Sequence, residues 1–169
     1  MGDPKKPRKK YTTPKMPWSS DQLSQELFLV GTYGLRNKHE LWKAHTELSK
    51  IRKQARNLLA EPSEIRIKKE KELLSSLSRR GIINQKLSID DVLDLKFESL
   101  LERRLQTIVW RKGIAISPYQ ARQMITHRHI IIGDRIVTRP GYMVKKDDEE
   151  GIKLSDNSPL KKQISIKDK

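Results

Sequence analysis

The pattern of hydrophobic and polar positions predicts a long amphipathic helix after residue 36. Its apolar positions recur every three or four residues, at Leu41, Ala44, Leu48, Ile51, Ala55 and Leu58. This spacing places them on one face of a helix of several turns. Lys43 and Lys50 are seven residues apart and lie on the opposite face with Lys53, while Arg52 and Arg56 flank the apolar stripe. We therefore predict a helix that packs through one face and presents positive charge on the other.

A second pattern, from Phe97 to Val144, predicts two helices followed by short strands. The first helix is expected to run through Leu101, Leu105 and Ile108 and to end at Gly113. Its arginines lie on a neighbouring stripe, and the inner positions face a core.

Ser117 marks the start of the second helix. Pro118 stands at the first helical position and Gln120 at the third, which together with Ser117 predict a capping box. Gly133-Asp134 fits a two-residue hairpin turn. Three short strands are expected, at residues 130–132, 136–137 and 142–144.

The charge balance narrows the choice of partner. The 169 residues contain 36 Lys plus Arg against 21 Asp plus Glu, a net charge of +15. Such an excess makes the compact state repel itself unless a polyanion neutralises it. Nucleic acid is the first candidate and an anionic membrane surface the second. Residues 1–17 carry six basic residues, one aspartate and four prolines, which predict a disordered basic arm that follows nucleic acid or, alternatively, a solvated tail.

Two helices with arginines on adjoining faces suggest a phosphate-binding surface. Arg104 and Arg111 are seven residues apart on the first helix, and Arg122 lies on the second. We predict that these three side chains converge on one phosphate-rich surface. A helix-turn-helix reading DNA stays open as an alternative, although the strands that follow are not part of that motif.

Several functional classes are not supported by the sequence. The chain has no cysteine, which excludes a disulfide scaffold and a cysteine-ligated zinc site. No apolar run approaches the ~20 residues of a membrane-spanning helix, and the basic N-terminus lacks the apolar stretch of a signal peptide, so we expect an intracellular protein. His127 and His129 are two residues apart on different helix faces, so no metal site is expected.

We also expect no catalytic residues, no cofactor and no small-molecule substrate. The sequence shows neither a glycine-rich phosphate-binding loop nor a paired carboxylate with a plausible pocket. The sequence therefore gives little support to the hypothesis of an enzyme.

The order of motifs in the second half of the chain resembles a small RNA-binding module. The matching residues are Glu102-Arg103-Arg104-Leu105, Arg111-Lys112-Gly113, Ser117, Gln120-Ala121-Arg122-Gln123, His127, His129-Ile130 and Pro140-x-Tyr142-x-Val144. Proteins that share this module include the fourth small-subunit ribosomal protein, some pseudouridine synthases, a heat-shock RNA-binding protein and certain tyrosyl-tRNA synthetases. The preceding half resembles the archaeal form of the ribosomal protein family, at Tyr33-Gly34-Leu35-Arg36, Lys38, Trp42, the basic helix and Asp90-Asp91-Val92.

Three features depart from that family's usual pattern. Arg128 stands where a glycine usually leaves the helix in a left-handed turn, Gly133-Asp134 replaces an Asn-Gly turn, and Gly141 replaces a common serine. The zinc knuckle of some bacterial members is ruled out by the lack of cysteine.

The expected fold class is α+β, with a mainly helical N-terminal region and an inserted helix-helix-β RNA-binding module, flanked by a basic disordered arm and an extended C-terminal tail. The expected divisions are 1–17 for the arm, 18–96 for the helical rRNA-binding region, 97–144 for the module and 145–169 for the tail.

The resemblance implies a structural constituent of the small ribosomal subunit, located in the cytoplasm on the ribosome. It implies binding to a helix junction in the 5′ domain of the small-subunit rRNA early in ribosome assembly, which this binding helps to nucleate. It also implies a position near the point where mRNA enters the subunit and an influence on the accuracy of translation. The implied partners are this rRNA, other small-subunit ribosomal proteins and mRNA, with no membrane. The alternatives are a stand-alone RNA-binding protein or RNA chaperone with the same module, and a generic polyanion or membrane-surface binder.

The residues expected to bind RNA lie in both halves of the chain. They are Arg36, Lys38, Lys43, Lys50, Arg52, Lys53, Arg56, Arg103, Arg104, Arg111, Lys112, Arg122, His127 and Arg128.

Overall fold

A computed structural model describes residues 9–83, 88–155 and 158–159. Within these ranges the chain forms seven helices and a three-stranded antiparallel sheet of order β2-β1-β3. The elements are α1 (Ser20–Thr32), α2 (Lys38–Leu59), α3 (Ser63–Arg79), α4 (Ile89–Asp94), α5 (Phe97–Glu102), α6 (Leu105–Arg111), α7 (Pro118–Thr126), β1 (Ile130–Ile132), β2 (Arg135–Ile136) and β3 (Ile152–Leu154). This mostly helical chain with a small sheet confirms the predicted α+β class.

The long helix α2 organises the first hydrophobic core. All six apolar positions of the predicted stripe, from Leu41 to Leu58, are buried. Asn37 caps the helix, since its Oδ1 accepts a hydrogen bond from the backbone N–H of Glu40 at 3.2 Å. Helices α1, α3, α4 and α5 pack against α2, and we call α1–α5 the helical lobe.

The expected single helix through Leu105 is wrong, because the chain breaks at Arg103-Arg104. Helix α5 ends at Glu102, and Arg104 adopts an extended backbone with a ψ of 142° before α6 begins. The Leu105 N–H donates to the Tyr142 carbonyl at 2.8 Å instead of continuing the helix. The hydrophobic core therefore divides here, since Leu101 belongs to the first cluster and Leu105 to the second. The predicted boundary at residue 97 leaves α5 in the module, whereas the structure packs it in the helical lobe.

The second core lies between α6, α7 and the sheet, and we call α6–β3 the C-terminal lobe. Helix α7 begins as predicted, with Ser117 Oγ accepting from the Gln120 N–H at 3.2 Å and Pro118 at the first position. The Gln120 side chain reaches one residue further back than a standard capping box, and accepts from the Ile116 N–H at 2.8 Å. The cap fixes the direction of α7 against α6.

The sheet corrects the expectation for the C-terminal strands. Gly133-Asp134 forms the predicted turn, since Ile132 pairs with Arg135 across it. Residues 142–144 form only a single bridge, between Met143 and Arg104. The third strand comes instead from the predicted tail, where Ile152–Leu154 pairs with β1 because burial of Ile152 completes the second core.

The predicted arm and tail are described only in part. Residues 1–8, 156–157 and 160–169 lie outside the described residues. From residue 9 the chain runs along α2, where the Tyr11 ring stacks on His39 with centroids 4.7 Å apart. The Thr12 N–H donates to Thr46 Oγ1 at 2.9 Å.

Candidate nucleic-acid interface

A half-buried carboxylate joins the two lobes. Glu40, in the first turn of α2, accepts from Arg104 Nη2 at 2.6 Å and from Arg122 Nη2 at 2.9 Å. Burial alone would raise the pKa of the Glu40 carboxyl, but the hydrogen bonds and charges of Arg122 and Arg104 outweigh it and hold the pKa below its ordinary value. One carboxylate of the helical lobe thus binds two guanidinium groups of the C-terminal lobe.

A neutral amide reinforces this junction. Gln106 is fully buried, and its Nε2 donates to the carbonyls of Gly34 at 2.8 Å and Pro118 at 2.9 Å. Gly34 has a φ of +58°, and a Cβ there would lie 2.6 Å from Pro118 Cβ. The Arg122 guanidinium closes the network by donating to Gln106 Oε1 at 3.3 Å. These contacts hold the two lobes in one fixed arrangement.

The prediction that three arginines converge on one phosphate-binding surface is wrong. Arg104 and Arg122 do converge, but they do so on Glu40 at the junction of the two lobes, where Arg104 is only 7% exposed. Arg111 lies elsewhere, where it donates to Glu102 Oε1 at 3.0 Å and covers the Trp110 ring. Helical spacing brought two of the arginines to one face correctly, but the face packs against the other lobe.

Other candidate RNA-binding residues also contact protein groups. Arg103 donates to Glu149 Oε2 at 2.7 Å and to the Val144 carbonyl at 3.2 Å, which ties β3 and its preceding turn to the lobe junction. Three more of these candidate residues each contact one acceptor within the protein. Lys38 pairs with Glu26, Arg52 donates to the Leu95 carbonyl, and Lys112 donates to the Glu149 carbonyl.

The other four cations of α2 are directed to solvent. Lys43, Lys50, Lys53 and Arg56 are exposed, and none of them forms an ion pair within residues 9–83 and 88–155. We call these four residues the α2 basic face. Arg36, just before the helix, is exposed and unpaired over the same ranges. A surface of one sign without counter-charges is suited to binding phosphate groups.

The C-terminal lobe adds a charged turn after α7. Arg128 has a φ of +66°, so the left-handed turn of the family is kept without its glycine. The Arg128 N–H donates to Ile125 O and the His129 N–H donates to Met124 O, which are the two bonds of a Schellman motif. A left-handed backbone costs a side-chain-bearing residue about 1–2 kcal/mol. The exposed Arg128 guanidinium and His127 ring therefore project from a strained turn.

Sequence reasoning missed residues that join the two lobes and also exposed arginines. Glu40 and Gln106 bind the lobes together, and the Asn37-x-x-Glu40 spacing of a helix start is a local signal that could have marked Glu40. Arg135 and Arg139 are exposed and without an ion pair in the described part of the chain. Their position beside the predicted hairpin was a signal that could have placed them among the candidates.

Two further observations concern other classes of site. Among the described residues, no group of three histidine, aspartate, glutamate or cysteine side chains is arranged to hold a metal ion. The same residues contain no helix that is both long and apolar enough to cross a membrane.

A two-lobed body with this C-terminal lobe defines a class of RNA-binding protein. Residues 103–150 match the S4 domain, an RNA-binding domain, and residues 5–102 match the ribosomal protein S4/S9 N-terminal domain. The chain belongs to the ribosomal protein S4 family, whose members are ribosomal proteins and not enzymes. The family resemblance is thereby confirmed.

Archaeal relatives match over nearly the whole chain. The small ribosomal subunit protein uS4 of Hyperthermus butylicus is 53% identical over 96% of this chain and 93% of its own length. The protein of the same name from Ignicoccus hospitalis is 51% identical over 96% of this chain and 98% of its own length. The protein of the same name from Methanothermobacter thermautotrophicus is 46% identical over 97% of this chain and 96% of its own length.

Proposed function

We propose that this protein is a structural component of the small ribosomal subunit in the cytoplasm and a primary binder of its rRNA. The proposed target is a helix junction in the 5′ domain, where binding nucleates assembly. The proposal extends to other ribosomal proteins as partners, to a position near the point where mRNA enters, and to a contribution to translational accuracy. Membership of the family supports the first part, and the finer assignments follow from the resemblance.

The observation that carries the RNA-binding proposal is the α2 basic face. Its exposed cations lack counter-charges among the described residues, whereas α3 mixes both signs, as in the ion pair of Arg66 with Glu70. Neutralising rRNA phosphates would release counterions and relieve the repulsion of a chain with a net charge of +15. Structured RNA is recognised largely by shape, which requires cations at fixed positions.

The rigid junction supplies those fixed positions. Because Glu40 and Gln106 hold the lobes together, the α2 basic face and the turn at Arg128 keep a constant relative geometry. Two such surfaces can embrace a folded RNA without the entropy cost of first ordering the lobes. Arg104 and Arg122 act in this proposal as positioning residues within the protein.

The test compares two triple variants with equal loss of charge. Changing Lys43, Lys50 and Arg56 to Gln should weaken binding to a 5′-domain rRNA fragment and make the salt dependence shallower, by roughly one unit of log–log slope per lost phosphate contact. Changing Lys68, Lys71 and Arg79 of α3 to Gln removes the same charge from another face. Equal effects of the two variants would indicate net charge alone and would contradict the proposed interface.

A further inference from the structure

A cavity of about 630 Å³ lies between α1, α2 and the segment that precedes α1. Residues 12–15 form one wall, so the cavity exists only while this segment lies along α2. The stacking of Tyr11 on His39 and the hydrogen bond from Thr12 to Thr46 hold the wall in place. The cavity is thus a feature built by the described part of the basic arm.

The interior offers flat apolar surface beside fixed polar groups. Leu29, Trp42 and Phe97 line it, and the Trp42 indole is oriented because its Nε1 donates to Glu26 Oε1 at 3.0 Å. Aromatic faces are the surfaces on which unpaired RNA bases stack. A base entering here would exchange water for aromatic and aliphatic contacts.

The rim is positively charged. Lys15, Lys50 and Lys53 line the cavity and are exposed. None of the three forms an ion pair with a carboxylate in the described ranges. Two of them, Lys50 and Lys53, are one helical turn apart on α2 and belong to the α2 basic face, so the cavity is continuous with the proposed phosphate-binding surface.

We propose that this cavity binds one extruded, unpaired base of the rRNA, with Lys15, Lys50 and Lys53 contacting the phosphates on either side. The proposal rests on the proposed function and specifies how one part of the RNA is held. A nucleotide in single-stranded RNA combines a flat apolar base with flanking negative charges, and the cavity combines a mainly apolar interior with a cationic rim. A protein segment in the same place would have to supply carboxylates to three separate lysines.

The test fills the cavity without changing its charge. Ser49 lines the cavity and is exposed on α2, and its hydroxyl makes no hydrogen bond to the described residues, so Ser49→Trp should preserve the fold. We expect about a tenfold loss of affinity for the 5′-domain fragment, because a stacked base is excluded. Ile65→Trp, at a position that is exposed on α3 and lies outside both the cavity and the α2 basic face, serves as the control and should bind within twofold of the unmodified protein.

A second measurement needs no variant. Ultraviolet crosslinking of the unmodified complex, followed by mass spectrometry, should attach a nucleotide to the peptides containing Trp42 or Phe97. If the protein prefers the fragment over scrambled RNA, yet Ser49→Trp binds equally well and the crosslinks fall elsewhere, the cavity proposal is overturned while the proposed function stands. Absence of any preference for the fragment overturns both. A crosslink from the cavity to a neighbouring protein in the assembled subunit would also refute a base as its occupant.

Discussion

Removing the charge of Glu40 should destabilise the protein severely. In Glu40→Gln the carboxylate that binds Arg104 and Arg122 becomes a neutral amide. Arg104 is then left buried without a counter-ion, and its Nε atom already lacks a hydrogen-bond partner in the structure. Breaking a buried ion pair from one side costs about 3–5 kcal/mol. Because the Gln side chain retains one acceptor oxygen, we expect about 3 kcal/mol, which lowers the melting temperature by roughly 6–12 °C for a chain of this size.

The same helix provides a matched control for this prediction. Glu47 pairs with Arg80 at 3.3 Å, but both side chains are more than 40% exposed. Glu47→Gln should therefore change the free energy of unfolding by no more than about 0.5 kcal/mol. Thermal and urea unfolding, followed by circular dichroism, measure both variants. Equal losses in the two variants would refute the argument that Glu40 gains its importance from burial between the lobes.

The pH dependence gives an independent check on Glu40. Its folded-state pKa is lowered, so its stabilising contribution is fully present above the ordinary value of 4.5 and is lost as the pH falls through the lower folded value. The pKa values of Glu26 and Asp91 are lowered as well, so the unmodified protein loses stability from several groups in this window. The difference between the unmodified protein and Glu40→Gln should shrink as the pH is lowered below 4.5. A constant difference across that range would contradict the ionic origin of the effect.

Two backbone positions yield further predictions. Gly34→Ala should destabilise the protein by at least about 2 kcal/mol, because the new Cβ would lie 2.6 Å from Pro118 Cβ and the φ of +58° disfavours any side chain. Urea unfolding measures this loss of stability, and a loss below about 0.5 kcal/mol would show that the lobe junction is loose. Arg128→Gly should stabilise the free protein by about 0.5–1 kcal/mol, since the relieved strain exceeds the extra freedom that glycine gives the unfolded chain. The same variant should bind rRNA more weakly, and calorimetric melting with a filter-binding titration checks both directions; a variant that is less stable and binds as tightly as before would contradict the role assigned to this turn.

Local patterns predicted the elements of this fold well. The stripe from Leu41 to Leu58 identified the buried face of α2, and Ser117-Pro118 identified the start of α7, because both depend on residues close in sequence. The break at Arg104 had no local signal. It is caused by pairing with Met143 and Tyr142, which are almost forty residues away.

The candidate site was harder to predict for the same reason. Side chains with helical spacing share a face, but the spacing does not say whether that face meets solvent or another lobe. Glu40 lies 64 residues before Arg104 and 82 before Arg122, so no periodicity revealed that it neutralises both. The α2 cations could be predicted because their apolar partners on the opposite face fixed the orientation of the helix.

The most direct test of the RNA-binding proposal is the affinity of the purified protein for a 5′-domain fragment of small-subunit rRNA. An equally long scrambled RNA is measured beside it across a series of salt concentrations. If the two lobes are held in a fixed arrangement, binding to the fragment should persist at salt concentrations that release the scrambled RNA. The reason is that shape-specific contacts add to counterion release. Equal affinities that vanish together as the salt rises would identify a generic polyanion binder and contradict the account.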